Sequence, residues 1–211
     1  MDRALTVILG LVAGGVVVLL IAAFVLTTSS SDDGSFEVTF TPVDTEFPSV
    51  EHDPDAALAL IDAWTSRRTG TYVATGTWTR TVDGRTDPLV GEIYVAQDPP
   101  RRYALRLGAE LVDINDPERF QTLLVDELAL VGGYVTGDTR LYAVGHAAPG
   151  CFRVELVVAA LASPWGRWAE YCFDDATGAL VSARVRRQSA VDVERIDQLR
   201  GDVTDADFPP S

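Results

Sequence analysis

The hydrophobic pattern divides the chain of 211 residues into three parts. Residues 4–26 carry no charged side chain, residues 27–50 are acidic with a Thr/Ser-rich start, and residues 51–211 alternate between helical and strand periodicities. A helix over the first segment would span roughly 35 Å at ~1.5 Å per residue, enough to cross a bilayer with some tilt. The pattern therefore predicts a transmembrane anchor, a linker and one globular domain.

The charges that flank the apolar run predict its orientation. Arg3 precedes the run, whereas Asp32 and Asp33 follow it with no arginine nearby. The positive-inside rule then places residues 1–3 in the cytoplasm and the C-terminal domain outside a cell membrane that the chain crosses once. A cleaved signal peptide is the alternative, but its apolar region is usually about 7 to 15 residues long and ends at a small-residue site.

The linker, residues 27–50, contains several acidic residues and no arginine, together with Pro42 and Pro48. Like charges repel one another and proline stiffens the chain, so this segment is expected to be extended. Within it, residues 35–41 alternate between apolar and polar side chains, which is also compatible with a short strand that docks on the domain.

Helical periodicity resumes where the acidic segment ends. Asp53 is a suitable helix N-cap, Pro54 fits the first helical position, and Gly70 is placed to end the helix. Apolar side chains recur at i, i+3, i+4 and i+7, as on one face of an amphipathic helix. They are Ala57, Leu60, Ile61 and Trp64.

Strand periodicity follows this helix. Residues 71–81 are rich in Thr, Tyr, Val and Trp, and further strands are predicted over 89–96 and 102–107. A turn at Asp83-Gly84 joins the first two. Alternation places four residues of the first strand on one face: Tyr72, Ala74, Gly76 and Trp78.

A second helix is predicted to open at Asp116-Pro117. Its apolar stripe ends before Gly132-Gly133, although helical phase continues to Val135. Five strand-like runs then follow, over residues 140–144, 151–159, 168–173, 179–187 and 191–199. The order of one helix, three strands, a second helix and four or five strands predicts an α+β fold with an antiparallel sheet.

The two cysteines, Cys151 and Cys172, predict a disulfide, because an extracytoplasmic compartment is often oxidising. If they lie opposite each other in a hairpin, Arg153 faces Glu170, and the other side of the hairpin is apolar throughout. On the chain-entropy model, closing a loop of about 22 residues stabilises the fold by roughly 3 kcal/mol. Two free buried cysteines are the alternative.

Composition and charge narrow the function. The net charge is −14 and every basic residue is an arginine, so nucleic acid is not an expected partner, because phosphate binding needs a basic surface. The only histidines are His52 and His146, and no nucleophile motif accompanies them. We therefore predict no catalytic residue and no cofactor, and an envelope hydrolase has no supporting motif.

Two short acidic groups have a chemical and a structural interpretation. Glu51, His52 and Asp53 offer metal ligands, but they also lead directly into a helix cap, and we predict the cap and no metal site. Asp174, Asp175, Thr177 and Gly178 suggest cation binding, but such a run between two strands is ordinary turn chemistry.

Two amphipathic helices on the concave face of one antiparallel sheet can leave an apolar cavity between the layers. We expect inward-facing aromatic and aliphatic side chains to line it. The candidates are Trp64, Tyr72, Trp78, Ile93, Tyr103, Phe120 and Leu124. The alternative is that these side chains fill the core.

Five segments together resemble the superfamily of periplasmic lipoprotein carriers of the LolA type, which includes LppX/LprG-like lipid carriers and RseB-like regulators. The segments are 64–70, 71–78, 91–101, 171–178 and 203–210, within a likeness that covers about residues 51–211. The resemblance implies an incomplete β-barrel, or half-barrel, with a helical lid and a cavity for a lipid or acyl chain. The chain departs from the pattern in having an apolar anchor in place of an acylated cysteine, and a predicted cystine.

These features predict a membrane-tethered extracytoplasmic module that binds a lipid or a lipoprotein without enzymatic activity. The alternative is a sensory or scaffolding domain, similar to RseB-like regulators, that binds a protein partner in the cell envelope.

Overall fold

The computed structural model describes residues 47–100, 102–107, 110–158 and 163–208. The predicted anchor at 4–26 and the short strand suggested at 35–41 lie outside these residues. No helix within the described part of the chain is both long and apolar enough to span a membrane. The described fold belongs to a compact unit that starts at Val50.

The described residues form two long helices, nine strands and a short 3-10 turn at Asp205–Asp207. The helices are α1 (Pro54–Thr69) and α2 (Pro117–Val135). The strands are β1 (Tyr72–Val82), β2 (Leu89–Asp98), β3 (Arg102–Leu107), β4 (Glu110–Ile114), β5 (Tyr142–Ala148), β6 (Cys151–Leu156), β7 (Trp168–Phe173), β8 (Leu180–Arg186) and β9 (Ala190–Arg200).

The strands form one open antiparallel sheet in the order β4-β3-β2-β1-β9-β8-β7-β6-β5. Two meanders, β1–β4 and β5–β9, meet where the last strand pairs with the first, so that Trp78 lies opposite Glu194. The predicted α+β class and the antiparallel sheet are confirmed.

Both helices begin as their sequences indicate. The Asp53 carboxylate accepts the Asp55 N–H at 2.9 Å, and the Asp116 carboxylate accepts the Glu118 N–H at 3.0 Å. α2 continues through Gly132-Gly133, where its apolar stripe was expected to stop, and ends at Val135. Burial of Val131 and Val135 in the core explains this extension, because tertiary packing outweighs the low helix propensity of glycine.

The predicted strand count between the helices was too low. The structure adds β4, which pairs with β3 and places Ile114 opposite Tyr103. Five residues before a helix cap carry little periodicity, so this strand depends on an existing neighbour for its hydrogen bonds. The later strands are all present, although β5 starts and ends later than predicted and β6 ends at Leu156.

The cysteine hairpin has the predicted register. Cys151 lies opposite Cys172 and is joined to it by a disulfide. Arg153 lies opposite Glu170, and the two side chains form an ion pair at 2.7 Å. The alternative of two free cysteines is therefore wrong.

One face of the sheet, here called the inner face, packs against both helices. The main core combines the buried faces of α1 and α2 with alternate residues of β5–β8. Its largest strand residues are Tyr142, Val144, Phe152, Val154, Tyr171, Phe173 and Val185. The opposite, outer face carries a smaller apolar cluster, in which Phe208 of the C-terminal segment packs on Val73 and Ala96.

Candidate functional site

Trp64, from α1, lies at the centre of an aromatic cluster on the inner face. Its ring stacks on Trp165, with centroids 5.3 Å apart, and meets Tyr171 edge-on at 5.4 Å. Phe173 adds a further edge contact at 5.8 Å. Aromatic pairs of this kind contribute about 0.5–1.5 kcal/mol beyond the area that they bury. In this structure Trp64 thus packs inside the core.

The sequence did not identify the residues that surround Trp64. Trp165 belongs to the turn before β7, and its backbone N–H donates to the Tyr142 hydroxyl at 3.0 Å. That hydroxyl donates in turn to the Gly166 carbonyl at 3.2 Å, and burial raises the pKa of Tyr142. In the sequence, the only signal that this turn folds inward is that a large aromatic residue, Trp165, lies between a proline and a glycine.

A buried charge pair joins the two helices beneath α2. Arg68 of α1 contacts the Glu127 carboxylate of α2 at 2.7 Å, and the side chains are 7% and 15% exposed. The Trp64 indole N–H donates to the same carboxylate at 2.8 Å. On its other side, the Arg68 guanidinium lies 5.4 Å from the Tyr103 ring centroid. Trp64 and Tyr103, two of the predicted cavity residues, are thereby linked.

Electrostatics keeps both members of this pair ionised. Burial alone would raise the pKa of Glu127, but the charge and hydrogen bond of Arg68 hold it below its ordinary value. Burial alone would likewise lower the pKa of Arg68, but Tyr103 and Glu127 raise it. The pair is therefore a fixed electrostatic link between the helices.

Strands β1 and β2 hold the C-terminus of α1. The fully buried Gln97 donates its amide N–H groups to the carbonyls of Arg67 and Gly70, each at 2.6 Å, and the Tyr72 hydroxyl donates to Arg67 at 3.3 Å. These bonds satisfy helix carbonyls that have no partner within the helix. The backbone at Gly70 runs so close to the β7–β8 turn that an added Cβ would lie 2.0 Å from the Thr177 carbonyl oxygen.

A second buried charge cluster lies towards the other end of the inner face. Arg80 of β1 contacts Asp192 of β9 with two hydrogen bonds, at 2.5 and 2.7 Å, and Arg187 reaches the same carboxylate at 2.6 Å. The Arg80 guanidinium lies 5.6 Å from the Trp78 ring centroid. Burial raises the pKa of the adjacent inner-face residue Glu194. The inner layer therefore has charged clusters beside its aromatic core.

The remaining predicted cavity residues differ in burial. Ile93, Tyr103 and Phe120 are buried, whereas Trp78 and Leu124 are half-buried. Trp64 lies in the main core and Tyr72 in a smaller cluster with Ala74 and Ala179. Trp64 and Tyr72 therefore belong to different apolar clusters of the described residues.

The motifs with alternative metal interpretations have structural roles. Asp53 caps α1, and His52 Nδ1 accepts the Val144 N–H at 3.3 Å. Asp174 accepts both the N–H and the hydroxyl of Thr177, at 2.8 and 2.7 Å, inside the β7–β8 turn. Within the described ranges, no group of three His, Cys, Asp or Glu residues is placed to hold a metal ion.

Comparisons with known proteins give a loose likeness in fold. No protein-family model and no curated protein sequence matches the chain. Among solved structures, LprF from Mycobacterium bovis aligns with 73% of this chain and 97% of its own, at 13% identity and a TM-score of 0.35. A LolA superfamily protein from Nitrosomonas europaea aligns with 74% of this chain and 98% of its own, at 8% identity and a TM-score of 0.26.

The structure of the Pseudomonas aeruginosa MucA/MucB complex also matches, over 74% of this chain, at 15% identity and a TM-score of 0.35. This chain covers 61% of that matched chain, which is less than two thirds of its length. One of these similar structures is described as a LolA superfamily protein, the superfamily that the sequence resembles.

Proposed function

We propose that this domain is a non-enzymatic binding module of the cell envelope, which holds an acyl chain between α2 and the inner face of a sheet curved as a half-barrel. The observation that carries the proposal is the incomplete burial of α2. Only Phe120, Val131 and Val135 of this helix are buried, and they lie near its two ends.

The middle of α2 is apolar but poorly covered. Leu123, Leu124 and Leu128 are half-buried, while Val125 is 55% exposed. An amphipathic helix in a filled core normally buries one whole apolar stripe. The central turns are held to α1 by the Glu127 link to Arg68 and Trp64, which leaves α2 able to act as a lid over apolar surface.

The test compares two adjacent aliphatic positions on α2, Leu124 and Val125. The full chain in a neutral detergent is titrated with a fluorescent fatty acid, and Leu124→Trp is compared with Val125→Trp. We expect Leu124→Trp to fill the space beneath the helix and to abolish binding, and Val125→Trp to bind as the unmodified chain does. Equal binding by both variants, or no binding by the unmodified chain, would contradict the proposal.

A second candidate function is partner binding at a groove on the exposed side of α2. The groove, of about 640 Å³, is lined by Pro100, Pro117 and Val125, with Glu118 and Asp126 at its rim. Apolar walls with an acidic rim suit a partner segment that presents an apolar side chain flanked by basic residues. We therefore assign the alternative function, binding of a protein partner, to this groove.

A photo-cross-linking residue at Gln121, which also lines the groove, tests this second candidate. We expect a specific partner to cross-link to the chain with the unmodified surface. The cross-link should be lost in the charge-reversed variant Glu118→Arg/Asp126→Arg. The same double reversal at Asp62 and Asp138, outside the groove, is the control. Cross-linking that survives the groove reversal would count against partner binding at this place.

The proposed location is a membrane crossed once by residues 4–26, with the domain outside. The acidic flank after this run and Arg3 before it support this orientation. The chain should resist alkaline extraction from membranes, and a thiol reagent that cannot cross the membrane should label a cysteine placed at Ser49. Release from membranes by alkali would show that the anchor had been removed.

A further inference from the structure

Exposed apolar side chains lie where the C-terminal part of α2 meets the start of β5 and the end of β6. Leu130 of α2 is 43% exposed, and Val157 and Val158, which directly follow β6, are 50% and 41% exposed. Single apolar side chains are common on protein surfaces, whereas neighbouring ones mark an interaction surface. These three residues are called the apolar corner below.

Backbone hydrogen bonds hold the segments of the apolar corner together. The Leu141 N–H donates to the Tyr134 carbonyl at 2.9 Å, and the Val157 N–H donates to the Leu141 carbonyl, also at 2.9 Å. Leu130 lies one helical turn before Tyr134, on the same side of α2. Tyr134 and Leu141 are half-buried and pack against the main core. The apolar corner is therefore fixed to the folded domain.

The sequence around the apolar corner has little of the acidity of the whole chain. Residues 128–142 and 156–168 together contain one acidic residue, Asp138, and two arginines, Arg140 and Arg167. The net charge of the whole chain is −14. These two segments therefore form a weakly basic surface on an acidic protein.

The two arginines are available to a partner of opposite charge. Among the described residues, neither Arg140 nor Arg167 forms an ion pair. Arg167 is exposed, and its carbonyl accepts the Leu156 N–H at 2.9 Å, which places its backbone beside the start of the apolar corner. Exposed apolar side chains with a basic rim are typical of surfaces that rest on an anionic membrane.

The N-terminal segment joins the domain near the apolar corner. The Val50 N–H donates to the Glu155 carboxylate at 2.7 Å, and Glu155 lies two residues before Val157. Residues 27–49 reach at most roughly 80 Å when fully extended. An anchor over residues 4–26 would therefore keep this corner within reach of the membrane surface.

A bilayer fits the apolar corner better than a protein partner does. Three side chains bury far less than the ~800 Å² per partner of a stable protein interface. A tethered domain needs only a weak contact, because the anchor raises its local concentration at the membrane. Apolar side chains settle at the boundary between head groups and acyl chains, and arginine reaches the phosphates.

We propose that the apolar corner docks on the outer surface of an anionic bilayer, with Leu130, Val157 and Val158 in the interface and Arg167 at the lipid phosphates. The inference goes beyond acyl-chain binding beneath α2 and rests on the proposed anchor at residues 4–26. Docking orients the domain, because one end of α2 then faces the lipid.

The experiment reconstitutes the full chain into vesicles of phosphatidylcholine and phosphatidylglycerol that contain a spin-labelled quencher lipid. Because Cys151 and Cys172 are joined in a disulfide, a fluorescent maleimide reacts only with an introduced cysteine. Labels at Val158→Cys and Leu111→Cys are compared, since these side chains are 41% and 45% exposed. Leu111 belongs to β4, at the opposite edge of the sheet from β5. We expect the lipid to quench the first label and not the second.

Two substitutions, each added to the chain labelled at Val158→Cys, separate the apolar contribution from the charge. Val157→Asp should abolish quenching, because a carboxylate is costly to bury and is repelled by anionic lipid, whereas Leu111→Asp should not change it. Arg167→Gln should weaken docking by roughly fivefold, the effect of one arginine beside an anionic membrane. Arg85→Gln, which removes an exposed arginine elsewhere, is its control. An unchanged melting temperature identifies variants that remain folded.

Flotation with the vesicles distinguishes failure of the anchor from failure of docking. A chain that does not float contradicts both the anchor and the docking. A chain that floats while the label at Val158→Cys stays as bright as that at Leu111→Cys contradicts docking alone and leaves the apolar corner to a protein partner. Equal quenching in vesicles without phosphatidylglycerol would contradict the role of Arg167. Fatty-acid binding should be the same in Val157→Asp as in the unmodified chain, since the space beneath α2 is unaltered.

Discussion

Removal of the Glu127 carboxylate tests whether a buried charge pair holds α2 to α1. In Glu127→Ala, the Arg68 guanidinium, whose side chain is 7% exposed, loses its counter-charge. The Trp64 indole N–H loses its acceptor at the same time. Loss of one partner from a buried ion pair lowers the free energy of unfolding by about 3–5 kcal/mol. We expect a loss at the lower end of this range, because the Glu127 side chain is 15% exposed.

Two further variants identify the cause of this loss. Arg68→Met/Glu127→Met removes both charges, and we expect it to be more stable than Glu127→Ala, because no buried charge is left alone and only the Trp64 N–H still lacks its acceptor. The control, Asp126→Ala, removes an exposed carboxylate at the preceding position of α2. It should lower the free energy of unfolding by less than about 0.5 kcal/mol.

Urea unfolding of the full chain in a mild detergent, followed by tryptophan fluorescence, measures these differences. Glu127→Ala should have the lowest midpoint of the three variants, with an unchanged slope. A loss below about 1 kcal/mol in Glu127→Ala would show that the pair is hydrated and would refute the reasoning. A double variant as unstable as Glu127→Ala would show that packing, and not charge, links the helices.

Three other predictions concern the same framework. Cys151→Ser/Cys172→Ser should lower the free energy of unfolding by roughly 3 kcal/mol, and reductant should then have no further effect on its melting temperature. Gly70→Ala should destabilise the fold by about 1–3 kcal/mol, because the new Cβ would lie 2.0 Å from the Thr177 carbonyl oxygen. A melting temperature, measured by calorimetry, equal to that of the unmodified chain would contradict this close contact. The pKa of Glu127 in the folded state lies below its ordinary value of 4.5. Its contribution to the stability of the fold is therefore complete above pH 4.5 and is lost as the pH falls through the folded-state pKa. Acid unfolding of Glu127→Gln should accordingly depend less on pH than that of the unmodified chain.

The inner and outer faces of the sheet offer different chemistry because strand alternation assigns successive residues to opposite sides. In β9, Asp192 and Glu194 lie on the inner face, whereas Val193 and Arg195 lie on the outer face. One strand therefore contributes to the buried charge cluster on one side of the sheet and to the outer face on the other.

Local signals in the sequence determined the helix starts, most strand positions and the cysteine hairpin. Asp53 and Asp116 cap their own helices through hydrogen bonds to residues two positions along the chain, so no distant contact is needed. The register of β6 and β7 was predictable because opposing the two cysteines also pairs Arg153 with Glu170.

Only the tertiary structure decided which distant segments meet. The pairing of β1 with β9 and the addition of β4 each depend on a neighbour that the local pattern does not name. The buried pairs Arg68 with Glu127 and Arg80 with Asp192 join residues 59 and 112 positions apart. Periodicity reports which side of an element is buried, but the partner on that side is fixed by packing and charge in the assembled fold.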